Sequence, residues 1–496
     1  MTPPNSPPEI HVSKDERLVR QITPKSEDFS RWYAEIVQKA ELADYTPMKG
    51  MMVIRPYGYA IWENIQRLMD RRIKETGHVN AYFPLFIPES FLKKEAEHVK
   101  GFTPEVAWVT MGGKEELEER LAVRPTSEAI IGYLYSKWIK SWRDLPVLYN
   151  QWANIVRWEK VTRPFLRTTE FLWQEGHTCH ETAEEAQTET MKILALYKEF
   201  CETELAIPVV AGRKSLREKF AGAQMTYAIE ALMSDGKALQ MGTSHNLGQH
   251  FSKAFDIKFE DRNQTLQYVW QTSWGSSTRM IGAVIMAHGD ESGLRLPPRV
   301  APVQAVLVPI AMGNWKETVL PTVLAAAESL KKAGLRIQVD AREEFTPGWK
   351  FAEHEMRGVP LRIEIGPRDV KAGQAVFVRR DAKTKDAVPL EAIAERAVAL
   401  LDDIQASLYQ AALRYREENT REAVTYGELK DLIEIKRGFV KSPWCGGDAC
   451  EDKIKTETMA TIRVIPPDCD GPAAEGKMCV CCGREALAVA YFARAY

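Results

Sequence analysis

Val147-Leu-Tyr-Asn-Gln-Trp-Ala-Asn-Ile-Val-Arg-Trp-Glu159 runs through the basic turn Lys160-Val-Thr-Arg-Pro-Phe-Leu-Arg167 into Thr169-Glu-Phe-Leu-Trp-Gln-Glu-Gly-His-Thr178. Both flanks are rich in β-branched and aromatic residues, which pack well on a pleated surface. Two such runs joined by a short polar turn form a long hairpin, so the sheet at this point is antiparallel. Along a strand, side chains two residues apart share a face, which sets Glu159 beside Arg157. An arginine fork matches phosphate or carboxylate in a way lysine cannot, so Arg157 and Arg167 mark a candidate anion site. On spacing alone, the commoner fate of such arginines is a solvated hairpin tip.

Upstream, Ile61, Ile65, Leu68, Met69 and Ile73 form a helical stripe over Tyr59 to Lys74, with Gly77 as its stop. The run Ala81-Tyr-Phe-Pro-Leu-Phe-Ile-Pro88 reads as a strand, kept by its prolines at a sheet edge or interface, and Ser90 reads as the N-cap of another helix. Leu121-Ala-Val-Arg124 leads into Pro125-Thr-Ser-Glu128 and a helix to about Trp142. Downstream come a charged helix from Ala183 to Leu205, a strand from Leu266 to Trp274, and an apolar helix from Met280 to Met286 entered through Gly275-Ser-Ser-Thr-Arg279.

Near Leu296-Pro-Pro-Arg299 the pattern changes. Apolar strands (Ala305 to Ile310, Leu335 to Val339, Leu361 to Ile365, Ala375 to Val378) alternate with helices (Glu317 to Ala333, Gly348 to Arg357, Glu391 to Tyr415). That alternation predicts a separate domain with a parallel or mixed sheet. The expected division is a tail over 1–22, an α+β domain with an antiparallel sheet over 23–300, an α/β domain over 301–404, and a small α/β domain over 405–496.

A length of 496 residues suits about three domains, and 45% hydrophobic with 27% charged residues describes a soluble globular chain. No apolar run approaches the roughly 20 residues that span a bilayer, so no membrane is expected. Met1 to Asp15 is Pro-rich and lacks a secretory core, which reads as a disordered tail on a cytoplasmic protein. A net charge of −2 neither predicts nor excludes nucleic acid. Of eight cysteines, Cys179 and Cys201 stand alone while six crowd the last stretch. The pairs Cys445-x4-Cys450 and Cys479-x2-Cys482 suit one tetrahedral zinc, with Cys481 competing for the fourth place.

The helix and Pro-bearing strand at Tyr59 to Pro88, the strand–turn–strand around Arg157-Trp-Glu159 and the strand–helix carrying Arg279 follow in the order of the three signature motifs of class II aminoacyl-tRNA synthetases, which they resemble. Val123-Arg-Pro-Thr-Ser-Glu128, Phe165-Leu-Arg-Thr-Thr-Glu-Phe-Leu-Trp-Gln-Glu-Gly-His177 and Gly242-Thr-Ser-His245 are similar to the prolyl-tRNA synthetase family, and the likeness covers nearly the whole chain after Asp15. It implies activation of L-proline with ATP and Mg2+, transfer to the 3′ end of tRNA(Pro), and a homodimer. By the same likeness Arg157 bridges the α-phosphate and the substrate carboxylate, and Arg279 holds the nucleotide. Glu159, Arg167, Thr168, Gln240, Thr243 and Ser277 serve ATP. Thr126, Glu128, Trp173, Glu175, His177 and His245 form the proline pocket with Arg157. The interval from His177 to Arg279 is too short for the editing insertion of some relatives, so no editing in cis is expected.

Thr346-Pro-Gly-Trp-Lys-Phe351 and Leu361-Arg-Ile-Glu-Ile-Gly-Pro-Arg368 are similar to an anticodon-binding domain, which makes Lys350, Arg362, Glu364 and Arg368 candidate tRNA contacts. The C-terminal region resembles that of the archaeal and eukaryotic-like branch, with a structural Zn2+. Because Cys482 precedes Gly483 as in that branch, the implied ligands are Cys445, Cys450, Cys479 and Cys482. The rival readings are another class IIa synthetase, for threonine, serine, glycine or histidine, and a non-catalytic paralogue that binds tRNA.

Overall fold

A computed structural model describes residues 21–98 and 105–496, so the tail expected over 1–22 falls almost wholly outside the described residues. Seven strands build the largest sheet: β1 (Val79–Asn80), β2 (Val147–Val156), β3 (Glu170–His180), β4 (Val209–Arg213), β5 (Met225–Leu232), β6 (Ala238–Gly248) and β7 (Trp270–Ser277), in the order β1-β2-β3-β7-β6-β5-β4. Every pairing is antiparallel except β1 with β2. The predicted hairpin pairs from Val147 with Cys179 to Val156 with Glu170, and Arg157 extends it by donating its amide to the Thr169 carbonyl at 2.8 Å.

The sheet is covered on both faces. Helix α1 (Ala183–Thr203) starts from a reciprocal cap between Thr182 and Glu185 and buries Ala186, Ile193, Leu194, Tyr197, Phe200 and Cys201, the spacing of one helical face. Burying a side chain such as Phe200 contributes roughly 1.5–3 kcal/mol. Elsewhere Ala129, Ile131 and Tyr135 of the helix Glu128–Trp138 join Phe251, Phe255, Val269 and Cys179 in a second apolar cluster. With both faces covered, β3 is buried without interruption from Gln174 to His180.

Several sequence expectations shift. The strand expected over Ala81 to Pro88 is confined to Phe86–Pro88, with Pro84, which has no amide for a ladder, in the irregular stretch before it. Val79–Asn80 edges the large sheet, while Phe86–Pro88 pairs with Leu121–Val123 in a three-stranded sheet. Ser90 is not an N-cap. The helix already begins at Glu89, and the Ser90 amide donates to Glu119 Oε1 at 2.5 Å. The helix expected to run to Trp142 stops at Trp138, and Ser141 caps a separate 3₁₀ turn with Asp144. The helix expected over Glu317 to Ala333 divides into Trp315–Thr318 and Leu320–Lys332, parted at Val319, with Pro321 at the start of the second. Between His180 and Arg279 the chain is taken up by α1, β4 to β7, the short helix His250–Ala254 and a small hairpin, Lys258–Glu260 with Leu266–Tyr268.

The chain divides into two compact units. One holds residues up to Asp44, Ile54–Asn64 and His288–Leu408. Its sheet orders Ile337–Val339, Ala305–Pro309, Leu361–Ile365, Gln374–Arg379 and Lys385–Pro389, the first three parallel and the last two antiparallel, a mixed sheet as the alternation predicts. The other unit holds Tyr45–Val53, Ile65–Ala287 and Tyr409–Tyr496, which places the cysteine-rich region with the large sheet.

That region folds as a four-stranded sheet in the order Thr420–Glu422, Phe439–Trp444, Ala488–Ala493, Thr461–Val464. It joins the β4 edge through two backbone hydrogen bonds between Arg213 and Ile465, at 2.9 and 2.8 Å. Gly212 permits this approach, since a Cβ there would lie 2.5 Å from the Ile465 carbonyl carbon.

Candidate active site

Strands β3, β5, β6 and β7 and the turn before the helix Glu128–Trp138 enclose a cavity of about 520 Å³. Eleven of the sequence candidates line it, namely Thr126, Glu128, Arg157, Trp173, Glu175, His177, Gln240, Thr243, His245, Ser277 and Arg279. They converge because β3 and β7 are paired neighbours, with His177 opposite Ser273 and Glu175 opposite Gly275, while β6 continues the ladder with Thr243 opposite Gly275.

One end of the cavity is a buried acid cluster. Glu175 accepts from Ser127 Oγ at 2.5 Å and Gln151 Nε2 at 2.7 Å, and its other oxygen meets His177 Nε2 at 2.9 Å. The Thr126 hydroxyl donates to Glu128. Burial by itself would raise the Glu175 carboxyl, but His177, Ser127 and Gln151 bring it below the usual range. Burial would likewise depress His177, yet the Glu175 carboxylate holds its proton and the net shift is upward.

Arg157 donates Nε to the Pro125 carbonyl at 3.0 Å and lies over the Phe171 and Trp173 rings, 5.6 and 5.5 Å from their centroids. Arg279 donates to the Leu166 and Gln240 carbonyls, both at 3.2 Å. Burial lowers both guanidinium groups, Arg279 to about 10, which leaves Arg279 charged at neutral pH. Both are thus fixed by backbone carbonyls, while Glu128, Glu175 and Glu159 act on Arg157, and Glu230 on Arg279, only through space. Trp173 and Ser273 line the same cavity, and the Trp173 indole N–H and the Ser273 hydroxyl are buried with no hydrogen-bond partner among the described residues. Unmet buried donors are costly unless a ligand meets them. Trp274 lies flat against β3 because Gly176 has no side chain; a Cβ there would come within 2.1 Å of the ring.

Three ATP candidates lie elsewhere. Glu159 and Arg167, paired at 2.7 Å, line a second hollow of about 390 Å³ that shares Arg157. Thr168 is buried and lines neither hollow. The reading of the sequence also missed wall residues, among them Lys214, Glu218, Phe220, Thr226 and Trp274. Lys214, Glu218 and Phe220 sit on the segment after β4, where irregular backbone leaves no periodicity to read. Thr226 earns its place through His245, whose Nδ1 lies 2.9 Å from the Thr226 hydroxyl.

His245 and His180 have a consequence for stability. Burial lowers His245 to about 3 and His180 to about 4. Unfolded, both take a proton near pH 6.5, so the unfolded chain binds more protons below that pH. Stability present above about pH 6.5 is therefore lost on acidification, by up to about 1.4 kcal/mol per pH unit per group. The melting midpoint should fall steadily from about pH 7 to pH 5, less steeply in His245→Gln; equal slopes in both proteins would contradict this assignment. His177 acts in the other window, its stabilisation fading as pH rises past its raised value.

The cysteine sulfurs of Cys445, Cys450, Cys479 and Cys482 all lie within 4.8 Å of one another, and Cys481 is outside the group. The Cys445–Cys450 and Cys445–Cys482 separations are 3.7 and 3.6 Å. A tetrahedron with metal–sulfur bonds of about 2.3 Å has edges of about 3.8 Å, so the donor set fits zinc.

The tRNA candidates fare less well. Lys350 is 3% exposed, with its ammonium 3.1 Å from the Asp340 carbonyl. Arg362 is buried between Glu355 and Glu364, at 3.2 and 3.0 Å, over the Phe351 ring. Lys350 and Arg362 are thus engaged inside their own domain, and Glu364 is engaged with Arg362. Arg368 is exposed.

Comparison with known proteins resolves the family. Residues 108–288 match the tRNA synthetase class II core domain (G, H, P, S and T), 304–400 an anticodon binding domain, and 426–496 the prolyl-tRNA synthetase C-terminal domain. Proline–tRNA ligase of Natranaerobius thermophilus is 58% identical over 97% of this chain and 99% of its own. The chain belongs to the prolyl-tRNA synthetase family. The Symbiobacterium thermophilum proline–tRNA ligase is 56% identical over 98% of this chain and all of its own. A crystal structure of prolyl-tRNA synthetase from Cryptosporidium parvum, complexed with halofuginone and AMPPNP, superposes with a TM-score of 0.92 at 41% identity, covering 98% of this chain and 99% of that one. The fold is accordingly a class II synthetase core with an anticodon-binding domain and a prolyl-type C-terminal domain, and the activity is that of a proline–tRNA ligase. Among the described residues, no helix is long and apolar enough to cross a membrane.

Proposed function

We propose that the cavity binds L-proline at its acid end and ATP at its arginine end, and that Arg157 joins the two. The observation that carries this reading is the polarity of the cavity, with Glu128 and Glu175 on the side of Thr126 and His177, and Arg157 and Arg279 held on carbonyls beyond them. A secondary ammonium needs carboxylate and acceptor partners, and Trp173 and Phe220 supply apolar wall for the ring. The proline carboxylate attacks the α-phosphorus, a bond forms from carboxylate oxygen to phosphorus, and pyrophosphate leaves. The attacking group is already ionised, so no side-chain base is required. Positioning and fixed positive charge supply the catalysis. Gln240, Thr243 and Ser277 contact the nucleotide with Arg279, and Glu159, Arg167 and Thr168 serve from the neighbouring turn. Mg2+ enters with the triphosphate, where it neutralises phosphate charge.

Within the same proposal the domains divide at 23–300, 301–404 and 405–496, Zn2+ sits among the four clustered sulfurs, Arg368 contacts tRNA(Pro), and the enzyme works as a cytoplasmic homodimer. ATP–pyrophosphate exchange measured across the amino acids tests the central reading. Proline should give the strongest exchange. Alanine, smaller by a few methylenes, should be discriminated only about 10–200-fold per methylene. Stronger exchange with any other amino acid overturns the assignment.

A further inference from the structure

Behind the cavity wall lies a chain of three buried charges. The Lys214 ammonium donates to Glu230 Oε1 at 2.9 Å. The Arg463 guanidinium takes the same carboxylate with both arms, Nη2 to Oε1 at 2.9 Å and Nε to Oε2 at 3.2 Å. Glu230 is 0% exposed, Lys214 3% and Arg463 9%. Lys214 lines the cavity, whereas Arg463 belongs to the C-terminal sheet.

Two irregularities in the ladders aim these side chains. In the C-terminal sheet the pairing steps from Ile462 with Phe492 to Val464 with Tyr491, which leaves Arg463 as the extra residue. In the core sheet it steps from Ile229 with Gly242 to Glu230 with Gln240, passing over Met241. Bulges of this kind re-aim side chains and recur beside active sites. The second one places Glu230 directly across from Gln240, the residue whose carbonyl receives Arg279. Arg279 accordingly feels the attraction of Glu230 and the repulsion of Arg463. The Lys214 amide bonds the Thr226 carbonyl at 2.8 Å, and the Thr226 hydroxyl meets His245, so the lysine runs along the wall from the His245 end toward Glu230.

A buried ion pair is weak grounds for stability, because apolar replacements are often neutral or better. A cation on the wall of a cavity built for an anionic substrate gives the triad a second role. We propose that Arg463 is a positioning residue: by clamping Glu230 it fixes the Lys214 ammonium and the Arg279 guanidinium at the nucleotide end, so that the C-terminal region helps hold ATP. This rests on the reading of the Arg279 end as the nucleotide end.

Full-length Arg463→Met and Arg463→Lys would be compared with the parent by pyrophosphate exchange with ATP and proline varied separately. We expect Arg463→Met to raise KM for ATP about ten-fold or more while KM for proline stays within about two-fold, and Arg463→Lys to recover part of the loss. Parallel changes in both KM values, or none, overturn the proposal. Should Arg463→Met fail to fold, an unchanged KM for ATP in Arg463→Lys overturns it, since one ammonium cannot span both Glu230 oxygens. Arg279→Ala separates the two readings. If it moves KM for proline instead of ATP, the nucleotide end is misassigned, whatever Arg463 does.

Discussion

Arg157→Ala should lose proline-dependent pyrophosphate exchange by about 10³-fold or more while keeping its fold. Single preorganised donors to a developing charge are worth about 10²–10³ in rate, and an arginine on a transferring phosphoryl group reaches 10³–10⁵. Arg157 has the geometry for the upper part of that range. Its Nε is anchored on the Pro125 carbonyl, and its fork is supported by Phe171 and Trp173 between the acid cluster and Arg279. The structural cost of its removal is a neutral-acceptor hydrogen bond and two ring contacts, on the order of 1–3 kcal/mol. A melting curve beside the exchange assay separates the two effects. Arg157→Lys should restore charge without the planar fork and remain deeply impaired. Near-normal exchange in Arg157→Ala removes the assigned role.

Loss of the metal should be the largest stability effect. The purified chain is expected to hold one zinc, lost in Cys445→Ser or Cys450→Ser and retained in Cys481→Ser, as metal analysis would read. Cys450 and Cys479 pack in one apolar cluster with Trp444, Ile454, Val480 and Phe492. Without the metal no coordinate bonds join the two cysteine pairs beneath that cluster, and burial keeps the Cys450 and Cys479 thiols protonated. Structural zinc is worth on the order of 10 kcal/mol in small zinc-binding peptides, so even a fraction of that lowers the melting midpoint by many degrees. Zinc retained by Cys450→Ser, or lost from Cys481→Ser, would overturn the ligand assignment.

Much of this fold and site is legible in the amino-acid sequence. The hairpin from Val147 to Thr178 declared its antiparallel pairing through two β-rich runs joined by a short basic turn, because strand composition and turn length are local properties. The cysteine pairs declared themselves by spacing, since ligands on adjacent turns must be close in sequence. Glu128, Glu175, His177 and His245 were singled out through the motifs that carry them, and the fold brings them to one cavity.

Other features depended on distance in sequence. The run Ala81 to Pro88 looked like one strand but forms one only at Phe86–Pro88, because pairing partners decide where a strand forms. Lys350 and Arg362, candidates for tRNA contact, meet Asp340, Glu355 and Glu364 inside their own domain. Lys214, Glu230 and Arg463 span 250 residues of chain with no shared motif, and two bulges bring them together. What the sequence alone determined here is local, namely hairpin pairing, helix faces and cysteine spacing, with motif likeness supplying the family. Only the tertiary structure decided which charges are free and which are spent, because a side chain's electrostatic state depends on partners that sheet register, not sequence proximity, delivers.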